Sequence, residues 1–217
     1  KIIYLYNQYL GEIALADFSL AFHDIETTVK RRLGLLKKGK MEFILNLAVA
    51  GVEINPDELP INKQNLFSFD YFVDRAYLQR HYNNYIFISP LFHSEIYNLV
   101  EDKQNRHAHL ADYYRRIHGF EEQAAFHYLK AEDYKKAIEF LMKSANYAIK
   151  KGGYESGINY YTQALDLCQR KKDSVDLDIL VALNEGLADV YRALGDEEKA
   201  LKYYKVVLDS YKEILKE

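Results

Sequence analysis

The chain has 217 residues, 29 Lys and Arg against 32 Asp and Glu, a formal net charge of −3, and 49% hydrophobic and 14% aromatic content. That balance excludes a disordered polyelectrolyte and gives no global attraction to nucleic acid. The single cysteine, Cys168, excludes an internal disulfide, and no stretch reaches the roughly 18–20 uncharged apolar residues of a membrane helix.

The start, Lys1-Ile-Ile-Tyr, lacks a signal-peptide layout, so a reducing, cytoplasmic setting is the expectation. The chain begins without Met and in helical periodicity, as a piece of a longer protein would. Residues 1–36 carry Leu, Ile and Tyr at helical spacing and run into a basic cluster of Lys30, Arg31, Arg32, Lys37, Lys38 and Lys40. Cations favour helix C-termini, so a solvated helix end explains the cluster; contact with phosphates or an acidic partner is the other reading.

Met41 to Ala50 is an apolar helix stopped by Gly51, and Pro56 suits the first turn of a short helix. Leu66 to Tyr77 follows as an amphipathic helix that buries Phe69, Phe72 and Val73. Then the period changes. Tyr82-Asn83-Asn84-Tyr85 before Ile86-Phe87-Ile88 predicts a hairpin, with asparagine taking the left-handed turn position. Pro90 opens a helix through Ile96 and Leu99. Three helices followed by a two-stranded wing make a winged-helix pattern over 41–118. The charges near its recognition region are Asp57, Glu58, Lys63, Asp70, Asp74 and Arg75. This acidic excess argues against groove reading, which needs Arg or Lys towards phosphates and bases.

From residue 119 small and aromatic residues recur together. Leu187, Ala188 and Tyr191 share a helix face, Gly195 ends that helix, Asp196 caps the next, and Ala200, Tyr204 and Val207 answer across it. An upstream unit has Ala145 and Ala148, then Gly152-Gly153, then Gly157, Tyr161 and Ala164. A looser one has Ala125 and Tyr128, a break at Glu132-Asp133, then Ala137 and Leu141. The spacing predicts five antiparallel helices at roughly 120–131, 134–151, 154–169, 175–194 and 197–215. An ordinary helical bundle is the plain alternative.

This pattern resembles the tetratricopeptide repeat, a helix–turn–helix unit of about 34 residues. The breaks at 132 and 152 lie too close for two full units, and those at 152 and 195 too far apart. In that family the first helix of each pair lines the concave side. Carried onto this chain, the register places Glu139, Asn146, Ile149 and Lys150, then Glu185, Asp189 and Arg192, along a partner-binding groove. Exposure to water alone is the competing account of these seven. Asn146 matches one position of the family's chaperone-tail clamp. Met142 and Gly186 stand where that clamp needs Lys and Asn, so carboxylate-tail capture is not implied.

The run from Tyr85 through Ser89-Pro90-Leu91-Phe92-His93 to Tyr97, then Arg106-His107-Ala108-His109-Leu110-Ala111-Asp112, resembles the segment after the ATPase core of STAND-class signalling NTPases. That resemblance implies a lid end over 1–40, a winged helix over 41–118 and tetratricopeptide-like helices over 119–217. In that family a histidine often stands where this chain has Ser89 and is thought to sense the nucleotide phosphate. The substitution puts sensing by Ser89 in doubt; His93, one turn on, is either a substitute or a wedged structural histidine.

The chain has no Gly-x-x-x-x-Gly-Lys-Ser/Thr phosphate loop. His107 and His109 point to different helix faces, and no zinc-protease spacing occurs. Cys168 sits on an apolar helix face, where a thiol is inert, and the serines lack a nucleophile elbow. The expectation is therefore a mainly α chain, winged-helix-like with a small β-hairpin and then an antiparallel repeat array. It holds no cofactor, metal or catalytic residue of its own. It would serve as the regulatory, protein-interaction segment of a STAND-like ATPase, with a protein or peptide ligand on the repeats and the ATPase domain upstream. A stand-alone tetratricopeptide scaffold and a winged-helix transcription regulator are the alternatives.

Overall fold

The computed structural model describes residues 15–61, 66–171 and 176–214. The expectations for residues 1–14, for Lys63 and for the charged stretch 172–175 lie outside them. The chain divides into two compact units, 1–102 and 103–217.

The first unit contains α1 (Leu15–Gly34), α2 (Lys38–Ala50), β1 (Glu53–Ile54), a 3-10 turn (Pro56–Glu58), α3 (Leu66–Asp74), β2 (Leu78–His81), β3 (Asn84–Phe87) and α4 (Pro90–Asn98). Local chemistry sets these boundaries. Gly51, at φ 147°, ends α2. The Asn55 side chain accepts from the Asp57 N–H at 3.1 Å and starts the 3-10 turn with Pro56 in its first position. The strands form an antiparallel sheet ordered β1-β3-β2, with Ile54 opposite Tyr85 and Leu78 opposite Phe87. The sheet therefore has three strands, one more than the wing read from the sequence. A two-residue strand is too short to show alternation.

The hairpin turn also differs. Its left-handed residue is Tyr82, at φ 54°, and neither asparagine takes that position. Asn84 begins β3, and its amide donates to Glu53 Oε1 at 2.7 Å, which ties the turn to β1. The core packs Ile44, Phe69, Phe72, Leu78 and Ile96. The Phe69 ring stacks on Tyr85 with centroids 4.4 Å apart and meets Phe43 edge-on at 5.4 Å. Val73 is only half-buried.

Helix α3 stops at Asp74 because Ala76, at φ 52°, turns the chain. Arg32 stabilises this corner. Its guanidinium donates to the carbonyls of Arg75 (2.6 Å) and Ala76 (2.9 Å) and lies 4.4 Å over the Tyr77 ring, while the Tyr77 hydroxyl donates to the Arg32 carbonyl at 2.7 Å. Lys40 likewise donates to Ser68 Oγ at 2.8 Å. Part of the basic cluster is thus committed to internal contacts.

The second unit is a run of six antiparallel helices: α5 (Lys103–Tyr114), α6 (Glu121–Lys130), α7 (Tyr134–Lys150), α8 (Tyr154–Arg170), α9 (Leu177–Ala193) and α10 (Glu197–Ile214). The five helices expected from the sequence lie within two residues of α6 to α10. Helix α5, read from the sequence with the segment before it, packs along α6.

Three of the connections repeat one helix stop. Glu132, Gly152 and Gly195 all take positive φ (61°, 84° and 76°). Their N–H groups bond the carbonyls of Leu129, Ile149 and Arg192, and the next residue in each case bonds back to Tyr128, Ala148 or Tyr191. This pairing satisfies the orphan carbonyls of the helix end. Asp133 and Asp196 then cap the following helices through the N–H groups of Lys136 and Lys199.

Small residues set the helix spacing. Ala124, Ala137, Ala145, Ala164, Ala188 and Ala200 are all buried. A Cβ on Gly157 would fall 2.4 Å from Ile149 Cγ1, so α7 and α8 approach closely there.

Candidate functional site

Tyr161 joins the two groups of residues singled out from the sequence. It is buried on α8, and its hydroxyl donates to Asn146 Oδ1 of α7 at 2.7 Å. Its ring occupies the volume that a side chain at Gly186 of α9 would need. Asp189 lies one turn beyond Gly186. Burial raises the Tyr161 phenol pKa, and the Asp189 carboxylate raises it further.

Asp189 in turn accepts from the Tyr204 hydroxyl of α10 at 2.5 Å and pairs with Arg192 at 3.0 Å. Glu185 receives the Tyr211 hydroxyl at 3.5 Å, and the Arg192 guanidinium lies 5.9 Å over the Tyr204 ring. Two polar contacts therefore tie neighbouring helices, Asn146 to Tyr161 between α7 and α8 and Asp189 to Tyr204 between α9 and α10, with the Asp189 charge felt at the Tyr161 phenol. The Asp189–Arg192 pair is exposed, which limits it to about 0–1 kcal/mol of stability. Its value is in fixing charge positions on a surface.

The other expected groove residues are placed differently. Ile149 packs over Gly157. Glu139 pairs with Lys143 at 2.6 Å, and Lys150 is exposed at the end of α7. The sequence reading places Tyr161 and Tyr204 on the packing stripes of their helices. The available signal was tyrosine, with its polar tip, four residues after the small residue in both units: Gly157 then Tyr161, and Ala200 then Tyr204.

Two adjoining clefts open between α6 and α8, over α7. One, of about 320 Å³, is lined by residues that include Glu121, Glu122, Tyr147, Lys151 and Tyr160. The other, of about 200 Å³, is lined by residues that include Glu122, Phe126, Leu129, Leu141 and Tyr160. None of the seven expected groove residues lines either cleft. The clefts use the Ser144–Ala148 side of α7, and Asn146 projects from the opposite side.

A buried histidine pair lies between α5 and α6. His107 Nδ1 is 2.7 Å from His127 Nδ1, and both residues are at most 2% exposed. Burial, with the nearby Lys130 charge, pushes His107 down to about 4; burial, with His107 itself, pushes His127 down to about 3. Both imidazoles are thus neutral at pH 7, one donating from Nδ1 and the other accepting. His109 is exposed on another face of α5.

In the first unit, Ser89 caps α4 by accepting from the Phe92 N–H at 3.0 Å. His93 donates from Nε2 to the Ala48 carbonyl at 2.9 Å and is wedged between Phe87 and Tyr97; burial lowers its pKa. Cys168 is buried, which raises its thiol pKa. Among the described residues no group of three or more His, Cys, Asp or Glu is placed to hold a metal ion, and no helix is long and apolar enough to cross a membrane.

The regular helix stops, the nested small residues and the answering tyrosines agree with a comparison against known families. Residues 141–213 match the tetratricopeptide repeat family. The match runs from within α7 through α8 and α9 into α10, the helices that carry the Asn146–Tyr161 and Asp189–Tyr204 contacts. No curated protein and no solved structure matches the chain. Tetratricopeptide repeats generally bind proteins or peptides and are generally non-catalytic.

Proposed function

We propose that this chain is the non-catalytic regulatory segment of a STAND-like signalling ATPase, and that its tetratricopeptide-like helices sense a protein or peptide partner. In this reading residues 1–40 are the end of the lid, 41–118 a winged-helix-like domain and 119–217 the sensor. It places the protein in the cytoplasm, with no cofactor held in this segment.

The polar contacts around Asp189 carry the reading. Glu185, Asp189 and Arg192 share one face of α9, where hydroxyl and ion-pair contacts from Tyr204, Tyr211 and between Asp189 and Arg192 hold them. A face ordered in this way loses less freedom when a partner docks. The order α2, β1, short turn, α3, β2, β3 supports the winged-helix reading of the first unit. Its α3 surface presents Asp70 and Asp74, and Asp70 pairs with Arg80 at 3.4 Å, which favours a protein contact over DNA. Partner binding would bias an inactive-to-active equilibrium through unequal affinity for the two states.

Two measurements test this. The gene upstream of Lys1 should encode a phosphate-binding Gly-x-x-x-x-Gly-Lys-Ser/Thr loop; its absence removes the ATPase parent and leaves a repeat scaffold. A photo-crosslinker at position 192 of the full-length protein should trap one partner, and Arg192→Glu should weaken that partner's binding about tenfold with an unchanged melting temperature. Equal affinity in the variant would remove this face from the sensor.

A further inference from the structure

We propose a second docking site on the repeats, in the two clefts between α6 and α8. It would take an extended peptide segment that carries a lysine or arginine two residues from a bulky apolar side chain.

The clefts form one groove crossed by a bar. Tyr160 of α8 and Glu122 of α6 both line both clefts, and burial, with the Glu122 carboxylate adding to it, raises the Tyr160 phenol pKa. On one side of the bar the lining is apolar. Phe126 and Leu129 of α6 stand 47% and 41% exposed beside Leu141, although they lie against buried Ala125. On the other side the floor is made of small residues, Ser144, Ala148, Gly153 and Ser156. A Cβ on Gly153 would already lie 3.2 Å from the Ala148 carbonyl, so the backbones pack closely beneath this cleft.

Charge selects the occupant. The larger cleft presents two carboxylates, Glu121 and Glu122, against one ammonium, that of Lys151. Lys151 lies 5.6 Å over the Tyr147 ring, and Glu121 receives His118 at 3.1 Å, which leaves Glu122 as the carboxylate shared by both clefts. A phosphate or an acidic peptide would meet these carboxylates at the mouth. A cationic side chain meets them with the tyrosine rings of Tyr147 and Tyr160 alongside, a setting that favours Lys or Arg.

Spacing sets the peptide pattern. Glu122 and Phe126 are one helical turn apart, about 5–6 Å. Alternate side chains of an extended peptide lie about 6.6 Å apart, so residues i and i+2 reach the two clefts together. Asn159 and Gln163, exposed one turn apart on α8, line the apolar cleft and offer amide groups to the peptide main chain.

The test is selection of a randomised heptapeptide display library on the 217-residue chain. Fluorescent copies of the enriched peptides are then titrated against the wild type, Glu122→Lys, Phe126→Ser and Arg192→Glu. The expected peptides carry Lys or Arg two positions from Leu, Ile, Met or Phe. They lose about tenfold or more in affinity for Glu122→Lys and for Phe126→Ser and bind Arg192→Glu unchanged. If Glu122→Lys fails to fold, Glu122→Gln, which keeps the shape and removes the charge, replaces it with the same expectation. Enrichment of peptides without a cation, affinity lost only in Arg192→Glu, or no enrichment at all overturns the proposal. Affinity lost only in Arg192→Glu would assign the peptides to the face at Arg192; the other outcomes leave that face to its own crosslinking test.

Discussion

The ring of Tyr161 lies over Gly186 so closely that a Cβ at position 186 would stand 2.4 Å from its Cζ atom. Tyr161 cannot swing away freely, since it is buried and its hydroxyl is bonded to Asn146. This contact fixes how near α9 comes to α8, and so where Asp189 stands relative to Tyr204.

Gly186→Ala sets two effects against each other. Alanine in a helix interior gains about 0.5–1 kcal/mol over glycine. Forcing a methyl into this contact costs about 1–3 kcal/mol. The clash prevails, so the variant should lose roughly 1–2 kcal/mol by urea denaturation. A second change, Tyr161→Leu, should recover part of that loss despite the space it leaves. A stabilised Gly186→Ala would show that α8 and α9 are not in close contact there.

Acid should destabilise the second unit through His107 and His127. Their folded pKa values, about 4 and about 3, lie below the ordinary 6.5. Between these limits the unfolded chain binds more protons, so stability is full above about pH 6.5 and falls as pH drops towards the folded values. The slope approaches about 1.4 kcal/mol per pH unit for each imidazole. Urea midpoints measured from pH 7 to pH 4.5 should show this slope, and the His107→Phe, His127→Phe double variant should flatten it. A flat wild-type profile would mean that the pair is solvated.

Arg32→Lys should weaken the first unit although the charge is kept. A lysine can neither donate to the Arg75 and Ala76 carbonyls in the same plane nor lie flat on Tyr77. The expected loss is about 1–2 kcal/mol, read as a lower thermal midpoint for the transition of this unit. An unchanged midpoint would reduce Arg32 to a solvated helix end.

The helix boundaries of the repeats are legible where a break combines a left-handed residue with a capping aspartate, as at Gly195-Asp196. Even Glu132, which has no glycine to announce it, is followed by the cap Asp133. The apolar face of α3 was equally clear from Phe69 and Phe72. The features that sequence reading missed depend on partners distant in the chain. β1 is two residues held by Tyr85 and Ile86. His107 meets His127 across 20 positions of sequence, and neither has a local signal. The α6–α8 groove escaped notice because its lining residues look like ordinary core and surface positions on three separate helices. Asn146 and Asp189, expected along a groove, are exposed polar positions, while Tyr161, buried beside Asn146, reads in the sequence as a packing position.

Helix α7 is common to both surfaces. Tyr147 and Ala148 wall the larger cleft, while the adjacent Asn146 turns away to hold Tyr161. If α7 rolled about its own axis, it would disturb the cleft and the Asn146–Tyr161 bond in a single movement. A peptide seated on one side would therefore resist that roll and stiffen the opposite side, even though the two occupants never touch.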